Sequence, residues 1–209
     1  MTVCTEAEAV IRATQIWLER AVIGLNLCPF AKAVYARGLV RFAVAHSRTA
    51  GELLAELERE LRELAEADPE TVETTLLIHP WAMGEFIDFN FFLAEADAAI
   101  RRLGLAGILQ IAAFHPRFEF AGSRPDDIEN FSNRSPFPML HLLRESSVDR
   151  AVAAFPDASE IYGNNIAVLR RLGHEGWRRL WLDEAAIAAR RPADPASACT
   201  GRGTPPSTS

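Results

Sequence analysis

Apolar residues recur at helical spacing in three segments of the chain. The first segment predicts a helix that ends at Gly24. The second begins at a capping box formed by Thr49 and Glu52 and carries a stripe of four leucines. The third predicts a helix over 86–103, closed by Gly104. The first half of the chain is therefore expected to contain three amphipathic helices.

Three shorter apolar runs, 39–45, 72–78 and 107–114, predict buried β-strands. Because long helices lie between these strands, the order favours parallel strands with right-handed crossovers. A ferredoxin-like antiparallel sheet is the competing topology. It would need hairpins, and no Asn-Gly or Asp-Gly turn separates the strands. Further helices are predicted over 138–144, 148–155, 160–172 and 176–189.

This pattern predicts an α/β fold: a small, three- to four-stranded, mostly parallel sheet with helices packed on it. A long loop over 115–138 follows the third strand, and its four phenylalanines predict that it is ordered. The C-terminal part is expected to be helical. Residues 1–190 are predicted to form one globular domain. Residues 191–209, rich in Pro, Ala, Ser, Thr and Gly, are predicted to be a disordered tail.

The composition and charge of the chain disfavour several classes of protein. The 209 residues are 49% hydrophobic and carry a net charge of −6, which disfavours nucleic-acid partners. No apolar run is long enough to span a membrane, and the first residues do not resemble a secretory signal. Three cysteines without close pairing favour a reducing cytoplasm. The glycine-rich loops that bind nucleotides are missing, so no nucleotide cofactor is expected.

Histidines follow all three predicted strands, at His46, His79 and His115. The carboxyl ends of parallel strands share one edge of a sheet, so these imidazoles could converge there on one divalent metal, Zn, Fe or Mn. Asp126 or His141 could add a further ligand from the later part of the chain. In the alternative interpretation, each His-Pro step is a turn whose imidazole caps a carbonyl.

The segment after the third strand is dense in polar side chains. Arg134 and Arg144 could bind a carboxylate or phosphate, and Asn130 and Asn133 could orient a polar group. On a helix, His141 and Arg144 would share one face. The alternative is that an aspartate pairs internally with Arg134 and that the two asparagines bond to the backbone of an irregular loop.

Cys28 is the third candidate. It lies in a turn, four residues before Lys32, the only lysine of the chain. A nearby ammonium would favour the thiolate, and any of the strand-end histidines could serve as the base for a nucleophilic cysteine. Lys32 is also a candidate for binding an anionic substrate. The alternative is a buried structural cysteine.

Three motifs together resemble a known family. They are the segments 26–32, 114–121 and 133–145, which contain Asn-Leu-Cys-Pro-Phe-Ala-Lys, Phe-His-Pro and Asn-Arg-Ser-Pro-Phe-Pro-Met-Leu-His. They resemble the uncharacterised bacterial family called domain of unknown function 1415, over roughly residues 6–175. The resemblance implies a soluble, bacterial, single-domain protein and implies no activity.

The first functional hypothesis is an enzyme acting on a small polar or anionic molecule, by metal-assisted hydrolysis or oxidation. In it His115 is the general base or a metal ligand, and His141 is a second acid, base or ligand. The first alternative is a non-catalytic protein that binds a small ligand or a partner protein. The second is a Cys28-dependent enzyme. No feature of the sequence fixes the oligomeric state.

Overall fold

The computed structural model describes residues 6–154 and 158–180, which form a four-stranded sheet with helices on both faces. The α/β class is therefore confirmed, and the predicted disordered tail lies outside the described residues. The strands are β1 Val40–Val44, β2 Thr74–Ile78, β3 Leu109–Phe114 and β4 Met139–Arg144. The helices are α1 Glu6–Trp17, a π-helical turn Leu18–Ile23, α2 Ala31–Ala36, α3 Ala50–Glu66, α4 Phe86–Arg102, a 3₁₀ helix Ile128–Asn133, α5 Glu145–Ala154 and α6 Ala158–Arg179.

The strand order is β1-β2-β4-β3. β1 pairs with β2 in parallel, whereas β4 lies antiparallel between β2 and β3. The strands β1, β2 and β3 thus run in one direction, and their carboxyl ends share one edge. The expectation of a mostly parallel sheet is corrected: two of the three pairings are antiparallel. The antiparallel neighbours β3 and β4 are joined by the long loop 115–138 and not by a tight hairpin turn. This loop carries the chain into the gap between β2 and β3.

The helix predicted over 138–144 is wrong, since this segment forms β4. Four of its six residues are apolar, and they fall on both faces because β4 is a central strand covered by helices on both sides. Such a short, mostly apolar run has no period that separates a buried strand from a buried helix. His141 and Arg144 therefore do not share a helix face. They project to opposite faces of β4 because side chains alternate along a strand.

In helix α3, the structure matches the local sequence signals that predicted its start and its buried face. The Thr49 side chain accepts a hydrogen bond from the Glu52 backbone N–H, and the Glu52 carboxylate accepts one from the Thr49 backbone N–H. The capping box is thus confirmed. The leucines of the stripe are at most 1% exposed and face the sheet.

Two apolar layers sandwich the sheet. One is built by α3 and α4 and includes Leu57, Leu77, Phe89 and Leu140. The other is built by α1, the π-helical turn and α6, and it includes Trp17, Leu76, Met139 and Leu169. No helix within the described ranges is long and apolar enough to cross a bilayer.

Candidate functional site

Asn130 holds the long loop together. Its side chain is fully buried, and its Oδ1 accepts hydrogen bonds from the Phe120 backbone N–H at 3.0 Å and from the Ser123 hydroxyl at 2.8 Å. Its Nδ2 donates to the Arg124 carbonyl at 2.7 Å. These bonds stabilise the loop. The Asn130 amide therefore has the role of the alternative interpretation, in which it bonds to the loop itself.

Asn133 and Arg134 also bond to the backbone. Asn133 Nδ2 donates to the Ala113 carbonyl at 3.2 Å, which attaches the loop to β3. The Arg134 guanidinium donates to the carbonyls of Phe118 and Pro125 and stacks 4.1 Å from the Phe131 ring. Burial lowers the pKa of Arg134. The Arg134 guanidinium thus stabilises the loop through contacts within it.

Arg144 stabilises the end of α3. Its Nη2 lies 2.7 Å from the carbonyl oxygens of Leu64 and Ala67 and 3.2 Å from that of Val72. The carbonyls at a helix C-terminus have no partner inside the helix, and the helix dipole makes that end partially negative. The side chain is on the α3 face of the sheet and forms a buried cap there.

His115 has both ring nitrogens engaged. Its Nδ1 accepts a hydrogen bond from the Arg117 backbone N–H at 3.0 Å, so Nε2 carries the proton and donates to the Met83 carbonyl at 3.1 Å. The ring is fully buried, and burial lowers its pKa to about 4. No lone pair of this imidazole is left for a metal or for a substrate proton.

The other two strand-end histidines differ in surroundings. His79 is fully buried, donates from Nδ1 to the Ala82 carbonyl at 3.1 Å, and packs 5.7 Å from the Phe89 ring. Burial lowers its pKa to about 4. His46 is exposed and stacks on Trp81 with 5.4 Å between ring centroids. The three strand ends share an edge, but their imidazoles occupy different environments.

The described side chains form no cluster of metal ligands. Within residues 6–154 and 158–180, no three or more His, Cys, Asp or Glu side chains are placed to hold one ion. Asp126 is exposed in the loop, and His141 lies on the sheet face opposite to His79 and His115. The divalent-metal hypothesis therefore gains no support from the described side chains.

A cavity of about 550 Å³ lies on the other face of the sheet. We call it the apolar cavity; it lies between the sheet and α1, the π-helical turn, α2 and α5. Its lining is overwhelmingly apolar and includes Trp17, Leu18, Val22, Leu76, Phe114 and Leu143.

The π-helical turn supplies Leu18 and Val22 to this lining. Such turns are rare and are frequently found at functional sites. In this chain the turn directly precedes the Asn26–Phe30 connection, where Asn26 adopts a left-handed φ of 54°. Asparagine tolerates that conformation better than most residues. The local backbone thus brings Cys28 to the cavity wall.

Two of the predicted catalytic residues belong to the wall of this cavity. Cys28 and His141 both line it, although they lie far apart in the sequence. Cys28 is a free, partly buried thiol. Lys32 is exposed and is not part of the lining. The sequence named both residues but not this pairing, since it took a strand-end histidine as the base for Cys28. In the structure, Cys28 shares the cavity wall with His141 and not with Lys32.

His141 is held by a short chain of hydrogen bonds. Its Nε2 lies 2.8 Å from the Thr74 hydroxyl, which itself donates to the Leu142 carbonyl at 2.6 Å. Burial lowers the pKa of His141 to about 4, so the ring is neutral at pH 7. The cavity thus contains one uncharged imidazole in a fixed orientation.

Sequence reasoning missed several polar residues of the lining. Thr74 and Gln110 interrupt otherwise apolar strands, and that interruption was the available signal. At the solvent-facing end, Arg150 forms a 3.4 Å ion pair with Glu73. That pair joins residues far apart in the chain, so no local pattern marks it.

The family model described as "Protein of unknown function (DUF1415)" matches residues 9–179 of the chain. The chain belongs to the DUF1415 family. The resemblance inferred from the three motifs is confirmed, and the matched range includes every residue that lines the cavity of this DUF1415 member. No curated protein and no solved structure matches the chain.

Proposed function

We propose that this DUF1415 protein binds a small, mainly apolar molecule in the apolar cavity. The observation that carries the proposal is the cavity itself, whose 550 Å³ lies within the size range of small-molecule sites and whose wall is almost wholly apolar. The few polar groups in the wall, including His141 and Cys28, supply orientation.

The arginines predicted to bind an anion, and the asparagines predicted to orient a polar group, favour this proposal indirectly. Arg134 and Arg144 donate to backbone carbonyls, and Asn130 and Asn133 do the same. Their side chains are committed to holding the loop and the end of α3. A polar or anionic substrate would have to displace those bonds, whereas an apolar molecule would enter the cavity without breaking them.

Binding of an uncharged apolar fluorophore, N-phenyl-1-naphthylamine, tests the proposal. We expect saturable binding at one site with a Kd of about 10–100 µM. Ala112 lines the cavity, so Ala112→Phe is expected to fill it and weaken binding at least about tenfold. Fluorescence titration measures both.

Ala55→Phe is the matched control, because Ala55 is exposed on α3, away from the cavity. It is expected to leave the Kd unchanged. Phe91→Ser removes the 74% exposed Phe91 and checks that the fluorophore does not bind at the surface of α4. Equal affinity in the wild type and in Ala112→Phe would show that the cavity is not the binding site.

A Cys28-dependent enzyme is the second candidate, favoured by the presence of Cys28 and His141 in one lining. In such a reaction the His141 Nδ1 would accept the thiol proton while the sulfur added to a carbonyl carbon, and the C=O π electrons would move to the oxygen. A cytoplasmic location suits both candidates, since the thiol of Cys28 is free.

Alkylation by N-ethylmaleimide at pH 7 distinguishes the two candidates. If Cys28 is only a wall residue, it is expected to react no faster than in the urea-unfolded chain, and more slowly when the cavity is occupied by N-phenyl-1-naphthylamine. Peptide mapping separates Cys28 from the other two cysteines. Reaction more than about tenfold faster than in the unfolded chain, and slowed by His141→Phe, would favour the enzyme.

A further inference from the structure

The tautomer of His141 follows from its neighbour. A threonine hydroxyl has one proton, and the Thr74 proton is used in the 2.6 Å bond to the Leu142 carbonyl. The 2.8 Å contact between Thr74 Oγ1 and His141 Nε2 must then be donated by the imidazole. His141 is therefore protonated on Nε2, and its Nδ1 bears a lone pair.

The lone pair on Nδ1 of His141 is available as a hydrogen-bond acceptor in the cavity wall. Within residues 6–154 and 158–180, no hydrogen bond joins Nδ1 of His141 to another group. The ring lines the cavity, one position deeper along the sheet face than Thr74, and is level with Leu76 and Ala112. A neutral imidazole in this tautomer can only accept a hydrogen bond at Nδ1.

We infer that the preferred ligand is a neutral apolar molecule with one hydroxyl, which donates a hydrogen bond to Nδ1 of His141. This inference rests on the proposed binding function and specifies its ligand. A phenol or alcohol satisfies this acceptor in the cavity wall, whereas a methyl ether of the same shape leaves it without a partner.

A ligand with a carboxylate is expected to bind poorly beside Nδ1 of His141. Its oxygens are acceptors and would face the lone pair of Nδ1 without a proton between them. Both arginines of the lining are already engaged: Arg144 donates to the carbonyls at the end of α3, and Arg150, 67% exposed, pairs with Glu73 at 3.4 Å. An anion would lose its hydration in the apolar interior without gaining a partner.

Three ligands of one shape test the inference by isothermal titration calorimetry: 4-propylphenol, 4-propylanisole and 4-propylbenzoate at pH 7. We expect the phenol to bind about tenfold more tightly than the ether, and the benzoate to bind most weakly. In His141→Phe the phenol is expected to lose its advantage, while the ether still binds.

Nitrogen NMR of the ligand-free protein gives a readout that needs no variant. The His141 ring is expected to show the proton on Nε2, and a proton on Nδ1 would overturn the inference. Equal affinity for phenol and ether would also overturn it while leaving the binding function intact. If neither compound binds and N-phenyl-1-naphthylamine does not bind either, the binding function itself is wrong.

Discussion

Replacing Arg144 with methionine is expected to lower the free energy of unfolding by about 3 kcal/mol. Methionine retains much of the side-chain volume but cannot donate to the carbonyls of Leu64, Ala67 and Val72. These carbonyls would stay beneath the sheet without their charged donor, and the favourable interaction with the α3 dipole would be lost. Urea unfolding followed by circular dichroism measures the change.

Arg62→Met is the matched control on the same helix. Its guanidinium is 54% exposed and pairs with Glu58 at 3.4 Å, so its loss is expected to change the free energy by at most about 0.5 kcal/mol. A loss below about 1 kcal/mol in Arg144→Met would mean that the cap contributes little and that water replaces it.

The protein is expected to lose stability steeply between pH 6.5 and about pH 4, the values between which burial moves the pKa of His79, His115 and His141. In this window the unfolded chain binds a proton at each of these residues and the folded chain does not, so stability falls as the pH falls. Each proton contributes about 1.4 kcal/mol per pH unit, or about 4 kcal/mol for three.

Urea midpoints at intervals between pH 7 and pH 4.5 measure this slope. A slope of about 4 kcal/mol per pH unit removes about 6 kcal/mol between pH 6.5 and pH 5 and about 10 kcal/mol by pH 4. Because a typical domain has a stability of about 5–15 kcal/mol, the protein is expected to unfold between about pH 5 and pH 4. His141→Phe is expected to remove about a third of the slope. A flat profile down to pH 5 would show that these imidazoles are protonated in the folded state.

Local signals predicted most of the elements. The capping box and leucine stripe of α3 require only neighbours within the helix, so they could be found from the sequence. The strand at Met139–Arg144 could not, because its apolar character comes from helices on both sides of the sheet. Its position between β2 and β3 depends on contacts remote in sequence.

The candidate site was harder to predict for the same reason. Arg144 bonds carbonyls that are 72 to 80 residues away, so its role as a cap has no local signature. His115 was correctly placed at a strand end, but its use as a donor to Met83 follows from the turn after β2. A cavity is a space that side chains leave unfilled, and residue spacing alone does not reveal it.

The central position of β4 has a consequence for the order of folding. The β1-α3-β2 unit can form from consecutive residues, yet β2 and β3 share no edge and meet only through β4. During synthesis, both strands expose unpaired backbone edges until residue 144 has left the ribosome. Long-range pairings of this kind form slowly and leave the nascent chain prone to aggregation. We therefore expect the sheet to close only after the 115–138 loop has brought β4 between β2 and β3.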